Sequence, residues 1–269
     1  FVQAHKAGTA KITAAAQDGS NKKQIITVKV LNPVSTIALS TSAPRGKMLI
    51  SQPLLASGKS VSHKVTFAET YGKPTNQKIT WSWSAWDSYG WDHTEELARY
   101  VGLTTSGRLS IHSKAASLIE EWVQAGKTPY LMVTAQSQDF SGAQASITYI
   151  LTPPATKLSV AANRKTVGIE PGGTREIVFY TDQFAQSKGS YSVSNFVITS
   201  SNPKVASVPA AVTIGKETRY TGYSYGEDGW FSLVIHSTQT GTAKITIRTT
   251  DGTNRSCTIT VRSTPKKEQ

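Results

Sequence analysis

The chain has 269 residues, with 29 Lys and Arg against 17 Asp and Glu, for a formal net charge of +12; its mean hydropathy is −0.27. No run is long and apolar enough to be a helical membrane span, and the 38% hydrophobic content suits a chain that buries a core. One cysteine, Cys257, excludes an internal disulfide, so any sandwich here rests on its core.

The first element in chain order is a β-hairpin. Ile12, Ile26, Val28 and Val30 alternate with Lys11, Thr13, Thr27 and Lys29, the two-residue period of strands with one buried face, and Asp18-Gly19 marks the turn. The same segment recurs near the end of the chain. Gly8 to Thr13 reads GTAKIT, as does Gly241 to Thr246, and the match continues through Asp18-Gly19 with Asp251-Gly252 and Ile26-Thr27-Val28 with Ile259-Thr260-Val261. Every pair keeps an offset of 233 residues, the separation of Gly8 from Gly241. Self-similarity at a fixed offset marks a tandem array.

A more divergent hairpin lies between these two, with strands at Tyr130–Ala135 and Ala145–Leu151 and a turn from Asp139 to Gly142. Prolines follow each hairpin, at Pro33, Pro153-Pro154 and Pro265, and cut the chain into residues 1–33, 34–153, 154–264 and a tail, 265–269. The first piece matches only the second half of a unit, and two or three strands cannot bury a core alone. Either its upstream half is missing by truncation, which the in-register start favours, or its strands pair with a neighbouring domain or chain. The chain is expected to be a monomer unless that half-domain pairs between chains.

The middle piece holds five of the six tryptophans. Trp81 and Trp83 share a strand face with Ile79 and are predicted to be core. Trp86, Asp87, Tyr89, Trp91 and Asp92 fall in an apparent insertion, followed by a short helix that Asp92 or Thr94 caps ahead of Leu97 and Tyr100. This insertion is either a lid packed over the end of the sandwich or a binding platform, since sugar rings stack on exposed aromatic faces. A second insertion, Lys114 to Gly126, has Leu118, Ile119, Trp122 and Val123 at helical spacing, with Gly126 as its stop. In the last piece, Arg219 to Trp230 is rich in Tyr, Ser and Gly, the composition of adaptable recognition loops, and Tyr220, Tyr223 and Tyr225 join the candidate ligand-binding residues.

Several stretches resemble the group 2 bacterial immunoglobulin-like domains found in invasin- and intimin-type surface proteins. These are Ile169 to Thr174, Thr199 to Val208 and Gly241 to Thr246, with Ile79 to Trp83 and Val101 to Ile111 as the matching places in the middle piece. The resemblance implies an all-β fold of tandem immunoglobulin-like Greek-key sandwiches, the middle one with short helical insertions. It also implies an extracellular or bacterial cell-surface location and a role as spacer or adhesive module, without catalytic residues.

The residues themselves agree with a non-enzyme. The histidines, His5, His63, His93, His112 and His236, show no metal-ligand spacing, and Cys257 has no histidine near it in sequence. Glu95-Glu96 near Asp87 and Asp92 is more simply a helix N-terminus than a pair of catalytic carboxylates or a calcium site. No cofactor or metal is expected. Basic residues are scattered, with only pairs such as Lys22-Lys23 and Lys266-Lys267, which reads as a solvated basic face rather than a specific nucleic-acid site. The expected partners are a host or cell-wall glycan, or a surface protein.

Overall fold

The computed structural model describes residues 1–42, 53–68, 72–160, 164–181, 196–208 and 229–265. Its strands in chain order are β1 (Gly8–Ala15), β2 (Lys23–Val30), β3 (Ile37–Thr41), β4 (Leu54–Ala56), β5 (Ser60–Phe67), β6 (Ile79–Asp87), β7 (Val101–Leu103), β8 (Arg108–Ile111) and β9 (Pro129–Ser137). They continue as β10 (Gln144–Thr152), β11 (Leu158–Val160), β12 (Thr166–Ile169), β13 (Thr174–Thr181), β14 (Phe196–Ser200), β15 (Ala206–Ser207), β16 (Gly229–Ser237), β17 (Gly241–Thr249) and β18 (Ser256–Ser263). Two helices, α1 (Thr94–Leu97) and α2 (Ala116–Gln124), interrupt the strands of the middle region, with a 3-10 turn at Ser113–Ala115. The fold is therefore all-β, in tandem immunoglobulin-like sandwiches, with helices inserted where 3.6-residue periodicity replaces alternation.

Four four-stranded sheets run β4-β10-β9-β6, β3-β5-β8-β7, β12-β18-β17-β14 and β11-β13-β16-β15, beside the two-stranded β1-β2. In both sandwiches the opening strand is split. β3 and β11 lie in one sheet, whereas β4 and β12 cross to the other and pair in parallel with the last strand, β10 or β18. The chain forms two compact units. One comprises residues 1–40, 64–82 and 134–146, and the other residues 41–63, 83–133 and 147–269.

In the second unit, alternation fixes the last sandwich. Ile245 and Ile247 on β17 and Ile259 and Val261 on β18 are fully buried, while Lys244 and Thr258 between them face water. These side chains meet Ile177, Phe179, Phe196, Ile198 and Ile235 in one apolar cluster. Each such side chain taken out of water contributes roughly 1.5–3 kcal/mol. Cys257 packs against the edge of this cluster, and burial pushes its thiol pKa up, so it stays a protonated small hydrophobe. The other sandwich is tied by a polar core contact: the Tyr149 hydroxyl, fully buried, lies 2.7 Å from His63 Nε2 and donates to Thr41 Oγ1.

Both predicted helices form, although α1 starts from His93 without a side-chain cap rather than from Asp92 or Thr94. Gly126, at φ 77°, ends the turn after α2, and Ile119, Trp122 and Val123 are buried, so the stripe docks on its own domain. Trp81 and Trp83 depart from expectation. They keep the core-facing parity of β6 but remain half-buried, with Ala85 and Asp87 the sealed positions of that strand. An indole is large and is seldom covered completely.

The closing hairpins share one turn. Asp251 Oδ1 accepts from the Thr253 N–H at 3.0 Å, and Asp139 Oδ1 accepts from the Ser141 N–H at 3.1 Å. Asp18 Oδ1 accepts from the Ser20 N–H at 2.9 Å in the same way. The second oxygen grips the linker. Asp139 Oδ2 accepts from the N–H of Val34, the residue after Pro33, and Asp251 Oδ2 accepts from the N–H of Ala155, the residue after Pro154. Both linker residues are buried. Burial pushes the Asp139 carboxyl up, but hydrogen bonds from Ser137, Ser141 and Val34 outweigh it and hold the group below the usual carboxylate range.

Candidate functional site

β6 ends in a buried carboxylate. Alternation carries Asp87 to the same face as Ala85, and its side chain is completely sealed from solvent. An isolated charge there is strongly unfavourable, so the surroundings must supply donors. They do so from two stretches of chain, residues 89–93 and Lys127. Oδ1 accepts from the Tyr89 N–H at 2.9 Å and the Trp91 N–H at 3.1 Å. Oδ2 faces His93 Nε2 and Lys127 Nζ, each at 3.1 Å. Burial pushes this carboxyl up, but the bonds from His93, Lys127, Trp91 and Tyr89 prevail and hold it well below the usual range.

These bonds build a tight turn over Asp87. The Gly90 N–H donates to the Asp87 carbonyl at 2.9 Å, with Gly90 at φ 84°, a conformation that favours glycine. The Asp87 N–H donates to the Trp91 carbonyl at 3.1 Å, and Trp86 and Asp92 form a β-bridge. On the far side, the Thr94 hydroxyl accepts from the Ala85 N–H, and the Asp92 carboxylate accepts from the Thr94 N–H at 2.8 Å as α1 begins. Ser88 Oγ accepts from the Thr128 N–H, which ties the turn to the segment after α2. Below lies Trp122, with its ring 4.3 Å from that of His93.

The rings on top of this turn face water. Tyr89 is 68% exposed and Trp91 69% exposed, although the backbone of both is held by the buried carboxylate. Trp86 lies differently. It points to the opposite face of β6, half-buried, with its ring 5.9 Å from Tyr130. The insertion thus combines the two arrangements that its sequence left open: Trp86 packs, while Tyr89 and Trp91 are displayed. Asp87 and Asp92 both accept hydrogen bonds from backbone N–H groups of this turn. Tyr220, Tyr223 and Tyr225 lie outside the described residues.

The side chains around Asp87 are engaged with one another. His93 Nδ1 meets Glu96 Oε2 at 2.9 Å while Nε2 meets Asp87. Both ring nitrogens of His93 are thus engaged by carboxylates. Lys127 and His93 occupy the Oδ2 position a cation would need, and among the described residues no group of three or more His, Cys, Asp or Glu is placed to hold a metal ion.

The anchors were legible only in part. Lys127 carries no pattern linking it to Asp87, because the two are joined by the path of α2 and not by spacing. The linker clamps did have a signal, an Asp-x-Ser/Thr triplet in each closing turn: Asp18 to Ser20, Asp139 to Ser141 and Asp251 to Thr253.

No protein-family model matches this chain, and no curated protein does. Among solved structures, domains 1–6 of surface layer protein SbsC align with a TM-score of 0.31 at 10% identity, covering 97% of this chain and 36% of that one. Immunoglobulin domains 1–5 of Sidekick-1 align at 0.29 and 9% identity, covering 96% and 45%. The protocadherin gammaB7 EC3-6 cis-dimer structure aligns at 0.28 and 12% identity, covering 96% and 58%. This chain spans about a third of the SbsC fragment's length. At these scores nothing is transferred from the neighbours, and the sandwich architecture stands on the sheets and their core.

Proposed function

We infer that this is a non-enzymatic protein of the bacterial surface or exterior, whose sandwiches form a scaffold and whose Asp87 turn is a recognition platform for glycan. The single observation that carries this reading is the display of Tyr89 and Trp91, each about two-thirds exposed, on a turn whose backbone is tied to a sealed carboxylate. Large exposed rings on a loose loop would be collapse-prone surface; rings on a pinned turn lose little entropy when a ligand arrives. Aromatic faces stack on the apolar faces of sugars, and a rigid ring supplies that area with few rotors to immobilise.

The spacer half of the reading is supported by the linker clamps. A linker whose first residue is buried and whose N–H is held by the domain it enters is a stiff joint, unlike a Gly/Ser tether. The resemblance to group 2 bacterial immunoglobulin-like domains supports the surface location. A host or cell-wall surface protein is the alternative ligand, and Tyr220, Tyr223 and Tyr225 are a second proposed contact region.

The test is a titration of intrinsic tryptophan fluorescence with mucin glycans and cell-wall polysaccharides, comparing the native chain with a Tyr89→Ala, Trp91→Ala variant. A saturable shift that weakens at least tenfold in the variant, about 1.4 kcal/mol, supports glycan recognition at this turn. The absence of a shift with every polysaccharide, or a shift that the variant retains, removes it.

A further inference from the structure

We propose that the exposed apolar face of the β1–β2 hairpin is a docking surface for the opening half of an immunoglobulin-like unit, carried ahead of it in the same polypeptide and completing a further sandwich. Three observations converge on this occupant. The first is register. β1 and β2 pair Gly8 with Val30 and Ile12 with Ile26, and β17 and β18 pair Gly241 with Ser263 and Ile245 with Ile259, the same ladder at the 233-residue offset. The turns agree as well, since Asn21 and Asn254 have φ 55° and 56°, and the Ala16 N–H donates to the Lys22 carbonyl as the Thr249 N–H donates to the Arg255 carbonyl.

The second observation is burial. Ala10, Ile12, Ile26 and Val28 are identical to Ala243, Ile245, Ile259 and Val261, of which three are fully buried and the other is 1% exposed. Ile12 is 40% and Ile26 59% exposed. In both complete sandwiches the closing hairpin is flanked on each side, by a short parallel strand against its last strand (β4 or β12) and by another strand against its first (β6 or β14). Among the described residues the β1–β2 sheet has neither flank. An apolar sheet with two open edges is a template for added strands.

The third observation is the clamp. Asp139 and Asp251 each turn one oxygen to the N–H of the first residue after a proline linker, at the entry to their own sandwich. Asp18 holds the same turn through Ser20 and stands exposed, with no linker N–H against it among the described residues. The clamp also favours a source in the same polypeptide over a second copy. A copy of this chain carries two opening halves, starting after Pro33 and after Pro154, and its own two complete hairpins already use both.

Hydrogen exchange with mass readout tests this. In the native chain, residues 8–30 should exchange at least about a hundredfold faster than residues 241–263, independent of protein concentration, in a monomer by sedimentation. A second protein carries residues 154–233 placed directly ahead of Phe1, the junction the offset dictates, because Phe1 stands where Val234 stands. There, exchange over 8–30 should slow to within about tenfold of 241–263, and Asp18→Ala in that background should restore part of the fast exchange. Concentration-independent protection of 8–30 in the native chain would overturn the proposal, because the hairpin would need no occupant. Protection that appears with a dimer would make a second copy the occupant and overturn it equally. A graft that leaves 8–30 unprotected, whether or not its own strands fold, would do the same, since the four shared core positions make it a competent opening half.

Discussion

Asp87 and Asp251 occupy the same kind of position and do different work. Both side chains are sealed at a strand-end turn, and both give one oxygen to donors of their own turn. They differ in what fills the second oxygen. At Asp251 it is the neutral N–H of Ala155, and the Asp251 carbonyl also accepts from the Ala56 N–H, so this turn is held between segments that press on it. At Asp87 it is two side chains, the Lys127 ammonium and the His93 imidazole. The Asp251 turn is held by ordinary hydrogen bonds from neighbouring segments, whereas the turn that displays its rings to water is held from beneath by a charge-assisted bond from Lys127. In the reading proposed above, the first turn is a joint and the second a platform.

The largest expected effect comes from Asp87→Ala, which leaves Lys127 and His93 without their shared anion and two backbone N–H groups without an acceptor. A loss of about 3 kcal/mol is expected, read as a drop in the denaturant midpoint with the slope retained. An unchanged midpoint would show that the turn does not depend on the carboxylate. Asp251→Ala comes next, at about 1–3 kcal/mol for a buried N–H left unpaired, and it should free the joint, so that small-angle scattering reports a broader distribution of dimensions. If only stability changed, the clamp would be a core contact and not a joint.

Acid separates the contributors more finely. His63, buried between Gly107 and Tyr149, has its pKa lowered by burial despite the Gly107 carbonyl. The unfolded chain therefore takes up a proton near pH 6.5 before the folded one does, and stability should fall as pH drops below that value, by at most about 1.4 kcal/mol per pH unit for one proton. The Asp87 carboxyl, lowered instead by its partners, contributes stability above about pH 4, the unfolded value, and loses it only as pH falls further. A His63→Gln variant that keeps the full slope between pH 6.5 and 4.5 would assign that slope elsewhere. The smallest effect on stability belongs to Trp91→Ala, within about 0.5 kcal/mol, because its ring contacts water; a larger loss would make Trp91 part of the packing.

Much of this was readable before any coordinates. The hairpins were legible because alternation and an in-register repeat are local signals, and α2 because Ile119, Trp122 and Val123 recur at helical spacing. Exposure was not. Trp86, Tyr89 and Trp91 look alike in sequence, yet Trp86 meets Tyr130 and the other two meet solvent, a difference set by which side of a pinned turn each occupies. Identical residues can also differ for non-local reasons, as Ile26 and Ile259 do: one lacks the flanking strands that cover the other.

The most direct measurement is a nitrogen-15 correlation spectrum of the six indole N–H groups, recorded during titration with the polysaccharide that gives the strongest fluorescence response. A binding platform at the Asp87 turn moves the Trp91 signal saturably and leaves that of Trp122, buried beneath, nearly still. Saturable movement confined to another indole, or no movement of Trp91 at saturating ligand, would contradict it.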